Sequence, residues 1–302
     1  MPDHAPPVPV DSATVALLRE PVPGRLEVLL VGRHAESRAF AGAHVFPGGL
    51  VDPADHAADL HAAMSAPMTP DTARAILGGA GAPAAALAFL AATIRELFEE
   101  AGILLANDAH GAPLGFGDPA TRERFAAHRR ALLGGAVAFA EIVRREGLTL
   151  RTGDLGYFSR WITPVHAPRR YDARFFVAPV PADQAPLHDE RETTSAAWWT
   201  PADALAGAVD GSIVLTPPQA RTLEELIDLG TMARVLASTR ERTVTPILPK
   251  VVQIGDRMGV LYPGDVDYDE TEPGAALPAE RDGRLNRIIM DDAGWRRFRG
   301  IR

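Results

Sequence analysis

The chain of 302 residues contains no cysteine, which excludes disulfides, thiolate metal sites and cysteine nucleophiles. Lys250 is its only lysine, so positive charge rests almost entirely on arginine. With 31 basic against 39 acidic residues the net charge is -8, and a non-specific nucleic-acid surface, which needs a basic face, is not expected. Long apolar runs are missing too. The longest weakly polar stretch, Leu77 to Ile94, is mostly Ala and Gly and runs into an acidic segment, so it does not read as a membrane span. The start, MPDHAPPVPVDS, has neither a basic beginning nor an apolar core and does not read as a secretory signal. A soluble cytoplasmic protein is the default expectation, with a homodimer left open.

What is present is concentrated in Ala84 to Ile103, AAALAFLAATIRELFEEAGI. Leu90, Ile94, Leu97 and Ala101 keep apolar helical spacing, and Gly102 supplies a stop. Glu96, Glu99 and Glu100 stand at i, i+3 and i+4, so a helix brings all three carboxylates to one face. Like charges this close repel, and a hard divalent cation held by oxygen ligands would compensate. An acidic, solvated helix face is the simpler alternative when this segment is taken alone.

Arg95 to Ile103, R-E-L-F-E-E-A-G-I, resembles the second half of the Nudix box, with every defined position filled. The first half of that box needs a glycine and, six residues on, an acid. Phe46-Pro47-Gly48-Gly49 and Asp55 stand there, with Asp in place of the usual Glu. Before Arg95 come 39 residues, His56 to Ile94, where the family has a short spacer. The resemblance implies an α/β fold, the Nudix α/β/α sandwich. It would occupy residues 12–242, after a loose N-terminus over 1–11, with an insertion at 56–83 and a C-terminal extension at 243–302. The insertion reads as a surface loop with one short helix, Pro70 to Leu77, or as a flap over the site.

The resemblance also implies roles. Glu96, Glu99 and Glu100 would be the metal ligands and catalytic carboxylates, with Mg²⁺ or Mn²⁺ as the cofactor. Gly48 would offer the metal a backbone carbonyl, beside Gly49 in the same turn. Arg95 would pair with Asp55 and hold the loop against the helix. A further acid from a distant loop would join the metal, Glu192 first and Glu190 second.

Upstream, LLVGRHAESRAFAGAHVFPGG (Leu29–Gly49) is similar to the signature of Nudix coenzyme A diphosphatases. Leu29, Leu30, Arg33, Arg38, Gly42, Phe46, Pro47, Gly48 and Gly49 fall in register, while Val31 and His34 depart. The long insertion, Thr163–Phe176 and the TPPQ segment (Thr216–Gln219) look like the peroxisomal branch of that family. Cleavage of coenzyme A or acyl-coenzyme A to 3′,5′-ADP and (acyl)phosphopantetheine is therefore expected. Arg33, Arg38 and Arg170 would bind the small-molecule substrate's phosphates as bidentate donors, the 3′-phosphate included. Arg170 has a competing structural use, capping a turn. The rivals are a Nudix pyrophosphatase for ADP-ribose, dinucleotides or nucleoside triphosphates, and a non-catalytic Nudix ligand sensor. A sensor would show eroded box acids, which this chain does not.

Overall fold

The computed structural model describes residues 6–34, 36, 42–65, 68–79, 82–187, 193–278, 283–291 and 294–298. Its centre is a mixed sheet ordered Pro246–Ile247, Gly156–Ile162, Tyr171–Pro179, Val10–Arg19, Glu27–Arg33, His44–Val45. Two further strands join from the side: Gly48–Leu50 pairs with the start of Val10–Arg19, and Thr193–Trp199 pairs with Glu27–Arg33. Strict alternation places successive side chains on opposite faces. Ala13, Val15 and Leu17 thus enter one core with Phe176 and Ala178, while Ala16 and Leu18 enter a second with Phe175 and Val177.

The helix Pro83–Ala101 covers the first face and buries Leu90, Ile94, Leu97 and Ala101 completely. It stops where Gly102 takes a left-handed conformation (φ 68°), with its N–H on the Phe98 carbonyl. Pro201–Asp210, Pro217–Leu229 and Met232–Glu241 cover the second face through Ala204, Leu223, Leu226 and Val235. Helices on both faces of one sheet make the expected α/β/α sandwich. The helical stretch expected over Pro119 to Glu146 is two helices, Pro119–Leu133 and Phe139–Arg145. Among the described residues no helix is long and apolar enough to cross a membrane.

Two segments differ from the sequence reading. Residues 6–11 are not loose: Val10 and Asp11 already belong to the first strand, and the Pro7 carbonyl accepts from Arg170 at 2.9 Å. The insertion is not a surface loop. Besides Pro70–Ile76 it forms a second helix, Ala58–Ala62, and sends Leu60, Met64, Ala73 and Leu77 into the first core. Its backbone is tied down by Ser65 N–H to Leu150 O (2.8 Å) and Leu150 N–H to Ala63 O (2.7 Å).

The extension builds a sheet of its own, ordered Ala276–Leu277, Lys250–Ile254, Arg257–Leu261, Arg287–Asp291, Gly294–Phe298. Val252, Ile254, Leu261 and Ile289 form its small core. The buried Arg287 guanidinium is satisfied by Asp265 and Asp267. Val260, Tyr262 and Ile288 join the second core of the sandwich, where the Tyr262 ring meets Trp161 edge-on with centroids 5.6 Å apart.

Candidate active site

The pairing of Gly48–Leu50 with Ser12–Thr14 fixes the glycine turn against the sheet, directly under the acidic end of the box helix. A Cβ on Gly48 would fall 2.4 Å from the Ala13 carbonyl, and one on Gly49 would fall 2.3 Å from a Glu96 carboxylate oxygen. Both positions therefore need glycine for close approach. The Gly48 N–H donates to Glu100 Oε2 at 3.0 Å, joining the two half-boxes across 52 residues.

Arg95 is the hub. Its Nε and Nη2 donate to the two oxygens of Asp55, both at 2.9 Å, in a bidentate pair. Nη2 also reaches the Leu50 carbonyl at 2.9 Å, and Nη1 donates to Glu96 Oε1 (2.9 Å) and Glu99 Oε1 (3.1 Å). Burial alone would lower the guanidinium's pKa, yet the Asp55 hydrogen bond and the charges of Glu96, Asp55 and Glu99 outweigh it. Asp55 compensates for its short side chain by its place in a 3₁₀ turn, Pro53–His56. There Asp52 caps the turn and its N–H binds Asp55 Oδ2 at 2.8 Å. Asp55 is 1% exposed, so the insertion that follows has not displaced it.

Burial pushes the Glu96 carboxyl up to about 7; Arg95 opposes this, while the nearby charges of Glu99 and Asp55 add to it. Arg33, at the end of its strand, comes within 3.5 Å of Glu100 Oε1. Four carboxylates (Asp55, Glu96, Glu99, Glu100) thus gather around two guanidiniums, Arg95 and Arg33. That donor set fits one divalent cation. As the side chains stand, no three His, Cys, Asp or Glu among the described residues enclose a metal site. Glu96 and Glu99 each turn an oxygen to Arg95 instead.

Not every expected residue is brought here. Arg170 is a correction: its Nε donates to the Thr163 carbonyl (3.1 Å) and its Nη1 to Pro7 O, so it braces the turn and the N-terminus. Asp172, a candidate partner for it, is held instead by Arg160 in a bidentate pair at 2.6 and 2.8 Å. Arg38, Glu190 and Glu192 lie outside the described residues. Sequence reasoning did not pick out Arg129, which donates twice to the Glu99 carbonyl (2.8 and 3.0 Å) and so fixes the last turn of the box helix.

Beside the glycine turn opens a cavity of about 360 Å³. Arg33, Gly48 and Gly49 stand at one end of its lining. The rest is mostly apolar, from Phe46, Trp161 and Phe175 in the sandwich to Pro249, Val251, Met258 and Val260 in the extension. Thr216 to Gln219, at the start of the TPPQ helix, complete the wall. No described residue of the insertion lines it, so the described part of the insertion is a support and not a flap.

A structure of a NUDIX hydrolase from Alicyclobacillus acidocaldarius superposes with a TM-score of 0.62 at 23% identity, covering 76% of this chain and 96% of that one. This shows the fold. The acyl-coenzyme A diphosphatase NUDT19 of Gallus gallus is 30% identical over 278 residues, covering 81% of this chain and 73% of that protein. Its human counterpart is 25% identical over 280 residues, covering 83% and 75%. The family model described as the NUDT19 Nudix domain matches residues 10–226, well over half of the chain, and the chain belongs to that family.

Proposed function

We propose that this protein is a divalent-metal-dependent Nudix hydrolase that cleaves the diphosphate of coenzyme A or acyl-coenzyme A. The observation that carries the reading is the meeting of the two half-boxes: Asp55 locked on Arg95, and Glu100 on the Gly48 N–H, at the mouth of a substrate-sized cavity. Relatives named as acyl-coenzyme A diphosphatases at 25–30% identity over most of the chain support the substrate class.

Glu99 and Glu100 would hold Mg²⁺ or Mn²⁺ together with the Gly48 carbonyl, and Glu192 is the proposed distal acid. When bound, the cation supplies charge neutralisation at the phosphates and acidifies a bound water. Arg95 gathers Glu96, Glu99 and the Leu50 carbonyl around one guanidinium, and a bound cation would draw Glu99 from it. Glu96, held beside Glu99 by the same Arg95 Nη1, would remove a proton from an attacking water. Arg33 faces both Glu100 and the cavity and would bind a diphosphate oxygen.

The test is turnover of coenzyme A, ADP-ribose and NADH side by side, before and after chelation. The expected result is coenzyme A cleavage to 3′,5′-ADP, abolished by chelator and restored by Mg²⁺ or Mn²⁺. Preferred turnover of ADP-ribose would give the site to the rival pyrophosphatase activity. Undiminished turnover under chelation would remove the metal from the scheme.

A further inference from the structure

The hairpin Lys250–Ile254/Arg257–Leu261 has two apolar faces; one is used within the fold, and on the other only Val260 is buried in the sandwich core. Val252 and Ile254 point into the extension's own core with Leu261. Val251 and Met258 sit on the other face and line the cavity, together with Val260 and the preceding Pro249. Val251 is 37% exposed and Met258 46% exposed, so packing within the fold does not account for keeping them apolar. Opposite them stand Trp161, Ile162 and Phe175 of the sandwich. The cavity is therefore a composite, with one wall from the Nudix sheet and the other from the extension.

Charge is distributed unevenly along it. Arg33 is the one charged side chain among the described residues that line it, and it lies at the box end. The described cations of the hairpin, Lys250 and Arg257, do not line the cavity, and Lys250 donates to the Tyr268 carbonyl. A substrate with its diphosphate over the box must send an uncharged group toward the hairpin. Resting on the proposed coenzyme A reading, we infer that the hairpin face of Val251, Met258 and Val260 receives the acyl chain of an acyl-coenzyme A and sets which chain lengths are accepted. Methionine suits such a wall, because its unbranched thioether adapts to chains of different shape.

The inference is tested by kcat/KM for coenzyme A and for a series of short-, medium- and long-chain acyl-coenzyme A thioesters on wild type, Met258→Ala and Met258→Trp. The half-exposed side chain makes folding of both variants easy to verify by thermal melting. Met258→Trp is expected to lower the ratio of medium-chain thioester to coenzyme A turnover by about tenfold or more, since a filled pocket rejects added methylenes on that scale. Met258→Ala should move the preferred length toward longer chains, with free coenzyme A nearly unchanged. A ratio unmoved in both variants, in a wild type that cleaves coenzyme A, overturns the hairpin's role alone. A wild type that cleaves neither coenzyme A nor its thioesters overturns the substrate reading and this inference with it.

Discussion

Two segments have been added to the sandwich, and they serve it in opposite ways. The insertion at 56–83 lies behind the site and is absorbed into the main core through Leu60, Met64, Ala73 and Leu77. The extension from 243 keeps a small core of its own and turns its remaining apolar face to the cavity. One segment therefore bears on stability and on the posture of Asp55, the other on the shape of what can enter. No described residue of the addition next to the catalytic motif in sequence lines the cavity, whereas Pro249, Val251, Met258 and Val260 of the later one do.

The largest effect should come from the point where the insertion begins. Asp55→Ala leaves the buried Arg95 guanidinium without its bidentate partner, and breaking a buried pair typically costs about 3–5 kcal/mol. We expect a lower melting temperature, faster proteolysis within 56–83 and a large loss of kcat together. A silent substitution would show that the insertion is held by its core contacts alone.

Leu60→Ala separates stability from chemistry. Leu60 is 1% exposed, and truncating such a side chain costs about 2–5 kcal/mol. The melting temperature should fall while KM for coenzyme A and the acyl-chain preference stay constant. A change in acyl preference would break the division between the two segments.

How much of this was legible in the sequence depends on the distance over which each residue acts. Arg95, Glu96, Glu99 and Glu100 lie within six residues on one helix, so spacing alone brings them to one face, and Gly102 marks its end. For Arg170 the sequence leaves turn capping and phosphate binding open, because its partner Pro7 is 163 positions away and nothing local distinguishes an arginine bound for a carbonyl from one bound for a phosphate. In the insertion, Leu60/Met64 and Ala73/Leu77 each keep i, i+4 spacing, but two isolated pairs among Ala, Gly and Pro are too short to mark a buried helical face. The hairpin itself was readable from Gly255-Asp256, but the partner of its outer face was not.

Arg33 tests the charged end of the cavity. Its approach to within 3.5 Å of Glu100 supports a diphosphate contact over the 3′-phosphate role that the signature implied. Arg33→Ala should therefore lower kcat/KM for coenzyme A and dephospho-coenzyme A alike. A charge-assisted contact is worth about 1.5–3 kcal/mol, or about ten- to a hundredfold. An unchanged melting temperature would distinguish lost binding from damage. A loss confined to coenzyme A would move this arginine to the 3′-phosphate.

The smallest effect is expected from one hydroxyl, that of Tyr262, where the extension meets the sandwich. Tyr262 is buried, stacks edge-on against Trp161, and burial raises the pKa of its hydroxyl, which finds no partner among the described residues. A hydroxyl left without a partner costs free energy, and removing it with the ring retained is nearly neutral or stabilising. Tyr262→Phe should keep or slightly raise the melting temperature and leave the acyl-chain preference unchanged. Tyr262→Ala removes the ring itself, at about 3–5 kcal/mol for a buried aromatic, and should loosen the hairpin and blur that preference. If Tyr262→Phe alone lowered the melting temperature by several degrees, the hydroxyl would be bonded after all. The joint would then rest on a polar contact, and the extension would be fixed to the sandwich by more than shape.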